Sequence, residues 1–362
     1  MSVLDRIASR ADVVSRIKAA GGQIAAVLPV HYPRALLRAY GFHPIELWGP
    51  PRVDSQDGDR HFQAYTCAIV RNATAVLLEG GLDAADVVLV PHTCDALQGM
   101  GSVLTDFGKL RQPVLTLYHP RAQGPSDLEF FVKEIQRLAD ALAAASARRP
   151  ADADWAQALD AEARADAELA ALYGDRRTLP LSDREFYTVV RTREYLPPGE
   201  FQELARSIPR HDKPSPLKGV PLMLSGMVCE PMELFDHINA MGGCVVADDF
   251  ACGYRRLYPA IDAGPPFERI ARSILGAPPD PTRGTTLAER ATSLIERLKA
   301  SGAKGLVVYG VKYCEPELFE LPRLRAYLAD AGYPMLHVEH ELAPTVPQQI
   351  LTRIEAFLET LQ

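Results

Sequence analysis

Three cysteines carry the strongest chemical signal in this chain. They are Cys67 in Gln-Ala-Tyr-Thr-Cys, Cys94 in Val-Pro-His-Thr-Cys-Asp and Cys314 in Val-Lys-Tyr-Cys-Glu-Pro. Each reads as the exit of a strand, and the apolar runs Val87–Val90 and Gly305–Tyr309 precede the last two. In an open α/β sheet the carboxyl ends of the strands face the functional crevice. Soft thiolates converging there suit an iron–sulfur cluster, and three of them leave one iron for a non-protein ligand. The competing reading is packing: a free cysteine usually behaves as a small hydrophobe. The six cysteines contain no Cys-x-x-Cys pair, so spacing alone gives no metal signature. On composition packing leads; local context shifts the balance to the cluster.

The elements that must position these residues alternate. Strands are expected at Gln23–Leu28, Ile45–Trp48, Val87–Val90 and Pro113–Leu117, with helices at Pro33–Tyr40 and from about His61 to Glu79. From Ser126 to Ala144 the pattern is helical, with Ser126-Asp-Leu-Glu as a capping box, and Ala-rich helix continues from 151 to Tyr173. Strands return at Val220–Ser225, Cys244–Ala247, Gly305–Tyr309 and Met335–Val338, with helices at Leu287–Ser301 and Gln348–Leu361. The expected fold is α/β: two parallel-sheet, flavodoxin/Rossmann-like domains joined by a helical connector, with the cluster in the cleft between them. The boundaries are 1–125 with Cys67 and Cys94, 126–216 for the connector, and 217–362 with Cys314. The halves read as a loose duplication.

Composition sets limits. The 362 residues are 47% hydrophobic and 23% charged, with a net charge of −7, which argues against a nucleic-acid partner. The densest basic pairs, Arg148-Arg149 and Arg255-Arg256, read as solvated. No signal peptide or membrane span is expected, so the chain reads as cytoplasmic, where thiols stay reduced. The phosphate-loop, Gly-x-Gly-x-x-Gly and Gly-x-Ser-x-Gly motifs are absent from their expected places. His337, Glu339 and His340 sit on a strand with alternating faces, which disfavours a zinc site.

Several runs together resemble the 2-hydroxyacyl-CoA dehydratase and benzoyl-CoA reductase iron–sulfur subunit family, which includes double-cubane cluster proteins. They are Pro33–Gly41, Val90–Asp95, Leu224–Gly226, Val246–Asp249 with Cys252-Gly-Tyr-Arg255, Val311–Pro316, Tyr333–Glu339 and Thr352–Phe357. The resemblance implies that Cys67, Cys94 and Cys314 hold a [4Fe-4S] cluster, either alone or linked into a double cubane. It also implies a separate ATP-dependent activator that delivers low-potential electrons, and a CoA thioester that is reduced or dehydrated. The partner would be a second copy or a similar-sized paralogous subunit. Cys229, Cys244 and Cys252 read as packing residues. In dehydratase subunits of the family a Cys/Ser-Tyr-Val-Pro-Glu-Glu run often follows the first strand. Here it is Pro29-Val-His-Tyr-Pro-Arg-Ala35, so the substrate-holding role of this loop is not carried over.

In that loop His31 is the candidate proton donor, against a structural histidine as the commoner case. His92 could donate to a cluster sulfur or cap a turn. Lys312, beside Cys314, would lower its pKa if near, against simple solvation of Lys312 and Glu315. Asp248-Asp249 are expected to anchor the following loop at a strand end. Two alternatives stand: a homodimeric double-cubane reductase of small molecules, and a non-catalytic electron-relay or scaffold subunit.

Overall fold

The computed structural model describes residues 3–50, 53–81, 83–107 and 110–362. Among the described residues, eight strands form two four-stranded, all-parallel sheets. The first holds β1 (Gln23–Val27), β2 (Phe42–Glu46), β3 (Val87–His92) and β4 (Val114–Tyr118), in the order β2-β1-β3-β4. The second holds β5 (Val220–Gly226), β6 (Gly243–Phe250), β7 (Gly305–Val311) and β8 (Met335–His340), in the order β6-β5-β7-β8. The two orders are the same permutation, as a duplicated half predicts. Parallel strands covered on both faces need near-continuous apolar runs, and β3 and β7 are buried along their whole length.

Side chains alternate across the first sheet. Ile24, Ala26, Val88 and Val90 face a core shared with the second half, including Leu222, Leu224 and Val307. Ala25, Val27, Leu89 and Leu117 face outward onto helix Pro125–Ser146 through Phe131, Ile135, Leu138 and Leu142. Helix Pro266–Leu275 crosses to that same layer through Ile270 and Ile274, although it follows the second sheet's β6. Behind the second sheet, helices Leu287–Ser301 and Leu321–Asp330 pack on Met223, Leu306 and Val308. Among the described residues no helix is long and apolar enough to cross a membrane.

Several local expectations change. The helix expected from about His61 to Glu79 starts only at Ala68, because Cys67 is extended at ψ 149°, and a separate short helix, Gln56–Asp59, precedes the loop. Cys67 therefore follows a loop rather than a strand. The helix expected to be capped at Ser126 begins at Pro125, where Asp127 accepts the Gly124 N–H at 3.0 Å. Asp248 and Asp249 lie inside β6 rather than past its end. Asp248 does anchor the next loop, accepting the Phe250 and Tyr254 N–H groups. The outer edge of β6 is closed by side chains: Asp183 accepts the Val245 N–H, and Arg176 donates to the Val245 carbonyl. That blocks strand addition there.

The largest correction concerns Arg255 and Arg256, which are 0% and 1% exposed rather than solvated. Buried carboxylates supply the reason. Glu46, at the end of β2, accepts from Arg34 at 2.7 Å, Tyr32 at 2.9 Å, Trp48 at 2.8 Å and Arg256 at 2.5 Å. A buried guanidinium survives only when paired and hydrogen-bonded, and this one ties the two halves together. Arg148 stays exposed, on Asp154 at 2.5 Å.

Two stability predictions arise here. Gly226, at φ +152°, ends β5 so close to β7 that a Cβ would stand 2.3 Å from the Tyr309 carbonyl oxygen. Gly226→Ala is expected to cost roughly 1–3 kcal/mol by overpacking, read as a lower urea midpoint; an unchanged midpoint would contradict the contact. His43 is buried between Arg38 and the Tyr195 carbonyl, and burial, then Arg38, lowers its pKa to about 4. It stays neutral when folded but titrates at the ordinary histidine value when unfolded. Its contribution is therefore complete above about pH 6.5 and is lost as pH falls towards 4, up to roughly 3 kcal/mol. His43→Gln should flatten the stability–pH slope in that window, measured by urea unfolding at stepped pH.

Candidate functional site

Each of the three cysteines stands at the first turn of a helix, as the residue before Ala68–Leu78, Asp95–Asp106 and Glu315–Leu318. Cys94 and Cys314 follow β3 and β7, the corresponding third strands of the two sheets. Both therefore lie beside the point where strand order reverses, β1/β3 in one sheet and β5/β7 in the other. Tyr313, held at φ +64°, turns the chain out of β7 and into Cys314.

Tertiary folding brings all three to one cavity of about 280 Å³, whose lining includes Tyr65, Cys67, Cys94, Asp95, Cys314 and Glu315. The wall draws on both halves of the chain. All three thiols are free. Burial pushes the Cys67 thiol up, against the Val70 and Ile69 N–H groups. Cys94 is pushed up to about 12 by burial and then by Cys67. Cys314 lies well above the ordinary thiol value through burial, then Glu317, Cys67 and Cys94. Burial is the largest cause at each thiol, and Cys67 adds to the rise at both Cys94 and Cys314. Among the described residues no three His, Cys, Asp or Glu side chains close on a single metal ion. In a cubane each thiolate binds a different iron, so its ligands stand around a volume instead of a point. Three thiols around one cavity suit that donor set.

The other expected site residues lie elsewhere. His31 is fully buried at φ +62°, with Nδ1 3.1 Å from the Tyr258 hydroxyl and Nε2 3.4 Å from Asp280 Oδ2. It does not line the cysteine cavity. Burial lowers its pKa, with Asp280 opposing. His92 ends β3 with its ring against Tyr118, and neither nitrogen has a hydrogen-bond partner among the described residues. It neither caps a turn nor reaches the cavity. Lys312 points to Glu341 at 2.7 Å, and the Cys314 thiol is raised rather than lowered. Cys229 and Cys252 pack 3.8 Å apart in the core, as packing residues.

A buried ionic network that composition did not reveal joins Cys314 to His31. Glu317 lies one turn after Cys314, and its N–H bonds the Cys314 carbonyl at 3.1 Å. Its Oε1 accepts from Arg255 at 3.0 Å, and Arg255 also reaches Asp249 at 2.8 Å and Asp280 at 3.5 Å. Arg290 stands 3.7 Å from Glu317 and 2.6 Å from Glu320. Burial pushes Asp249 up, but Arg255 and Arg290 outweigh it and hold the carboxyl below its usual range. Arg255 and Asp249 were visible in sequence only within the family-like runs; nothing in their spacing marked them as partners of Cys314.

Residues 29–361 match the sequence profile of the 2-hydroxyglutaryl-CoA dehydratase D-component. The chain belongs to that family. It is 24% identical over 373 residues to the (R)-2-hydroxyglutaryl-CoA dehydratase beta subunit of Acidaminococcus fermentans, covering 98% of this chain and 96% of that one. The lactoyl-CoA dehydratase beta subunit of Anaerotignum propionicum is 23% identical over 357 residues, with 92% and 91% covered. A benzoyl-CoA reductase subunit of Thauera aromatica is 23% identical over 359 residues, with 94% and 91% covered. The family thus includes subunits of both dehydratases and a reductase, over essentially the whole length of this chain.

Proposed function

We propose that this chain is the iron–sulfur subunit of a dehydratase or reductase acting on a CoA thioester, with Cys67, Cys94 and Cys314 holding a [4Fe-4S] cluster. The observation that carries this reading is the convergence of three free thiols, from three helix starts and both sheets, on one cavity. When bound, such a cluster supplies one-electron transfer and an open iron able to act as a Lewis acid. The protein's part is to hold three thiolates rigidly, keep water from the buried side of the site and set the surrounding charge. Backbone N–H groups at the helix starts oppose the burial that raises these thiols, from Val70 and Ile69 at Cys67, Leu97 and Ala96 at Cys94 and Glu317 at Cys314.

Partners belong to the same reading: an ATP-dependent activator, and a paralogous subunit or second copy. Tyr65 and Phe319 are 57% and 78% exposed, one two residues before Cys67 and the other five after Cys314. Exposed aromatics beside a redox site suit a docking rim. The burial of His31 against Tyr258 and Asp280, away from the cysteines, favours a second reading. In it this chain carries electrons and its partner holds the thioester.

The deciding experiment is iron and acid-labile sulfide analysis, with an ultraviolet–visible spectrum, on anoxically purified protein. One cubane of iron and sulfide per chain is expected, and sulfide in excess of iron would point to a bridged double cubane. Metal-free protein from a cluster-competent anoxic host would return the cysteines to packing. For the second reading, turnover of a CoA thioester by this chain and activator without a partner subunit would count against it.

A further inference from the structure

We propose that Glu317 is a positioning residue that sets the reduction potential of whatever redox group the three cysteines hold; this rests on the iron–sulfur reading above. Glu317 is 2% exposed and follows Cys314 by one turn. Its Oε2 is buried with no hydrogen-bond partner among the described residues, while Oε1 takes Arg255. Its backbone N–H bonds the Cys314 carbonyl at 3.1 Å, so the buried carboxylate stands on the same turn as the thiol. Glu317 is 2% and Cys314 7% exposed, so a charge on one acts on the other more strongly than at a surface.

The groups facing Glu317 from every packed element are Arg255, Arg290, Asp249, Asp280 and, through Arg290, Glu320. Two guanidinium groups stand against four carboxylates. Adding one electron at the cysteine cavity adds one negative charge beside this cluster of excess negative charge. A carboxylate at that place makes the added charge less favourable and lowers the potential. Removing Glu317's charge raises the potential, and removing a cation of the same cluster lowers it.

The test uses full-length protein reconstituted anoxically with iron and sulfide. It is titrated with Ti(III) citrate, each electron taken up being balanced by oxidation of one Ti(III) to Ti(IV), and followed by electron paramagnetic resonance. Glu317→Gln keeps the shape and the acceptor for Arg255, and its midpoint is expected to move up. Glu317→Asp keeps the charge and should stay near the unsubstituted protein. Arg290→Gln should move the midpoint down. Opposite signs from two neighbouring substitutions cannot arise from general loosening of the fold. Coincident midpoints for loaded Glu317→Gln and the unsubstituted protein overturn the proposal while leaving the iron–sulfur reading intact. If Glu317→Gln does not fold, an Arg290→Gln midpoint at or above that of the unsubstituted protein overturns it instead. Failure of the unsubstituted protein to take up iron and sulfide sinks both.

Discussion

Serine at any one of positions 67, 94 or 314 is expected to remove most of the iron and sulfide from anoxically purified protein. A cubane anchored by three thiolates loses a third of its protein ligands in one step, and a serine oxygen is a poor substitute for a soft ligand. The fold should survive, because serine is close to cysteine in size and all three side chains line a cavity as well as touching the core. The matched control is Cys229→Ser or Cys252→Ser. Those two thiols are 0% and 1% exposed and touch each other in the core. Their replacement should lower the melting temperature by burying a hydroxyl without a designed partner while iron content stays unchanged. Equal iron loss at positions 67 and 252 would show that general destabilisation, and not ligation, controls loading.

Replacing Glu46 with alanine is expected to be among the most destabilising single changes in the molecule. Glu46 is the common acceptor for Arg34, Arg256, Tyr32 and Trp48. Its removal leaves two buried guanidinium groups only their longer pairs, Arg34 with Asp166 and Arg256 with Glu194 at 3.8 Å each, and takes the acceptor from Tyr32 and Trp48, which costs on the order of 3–5 kcal/mol. Because Arg256 comes from the second half, the loss should also loosen the seam between the sheets. Urea unfolding should show a much lower midpoint. The contrast is Glu129→Ala, which breaks the exposed pair with Lys133 at 2.8 Å, where both side chains are about 70% exposed. That change should leave the midpoint where it was, since surface pairs contribute little. If the two variants unfold alike, the buried seam is not what holds the halves together.

Much of the architecture was legible in the chain because it rests on local rules. Buried parallel strands require continuous apolar runs, so Val87–Val90 and Gly305–Tyr309 announced β3 and β7. Thr286 with Glu289 and Gly302 bracket helix Leu287–Ser301 at the expected residues. The break before Ala68 was not legible, since nothing in Arg60–Thr66 forbids helix. The chain leaves helical geometry there, and Cys67 joins the wall of the cavity.

The three cysteines show where local reasoning stops. By itself the sequence determined their chemistry as free thiols and, for Cys94 and Cys314, their place at strand exits, because residue type and strand pattern are properties of short segments. Only the tertiary structure decided that they share one cavity, that His31 faces Asp280 instead of that cavity, and that Arg255 and Arg256 are buried. The physical reason is that burial and pairing depend on partners far away in the chain. Arg256 lies 210 residues from Glu46, and Arg255 lies 62 from Glu317. Two adjacent arginines look solvated until the fold supplies the carboxylates that neutralise them.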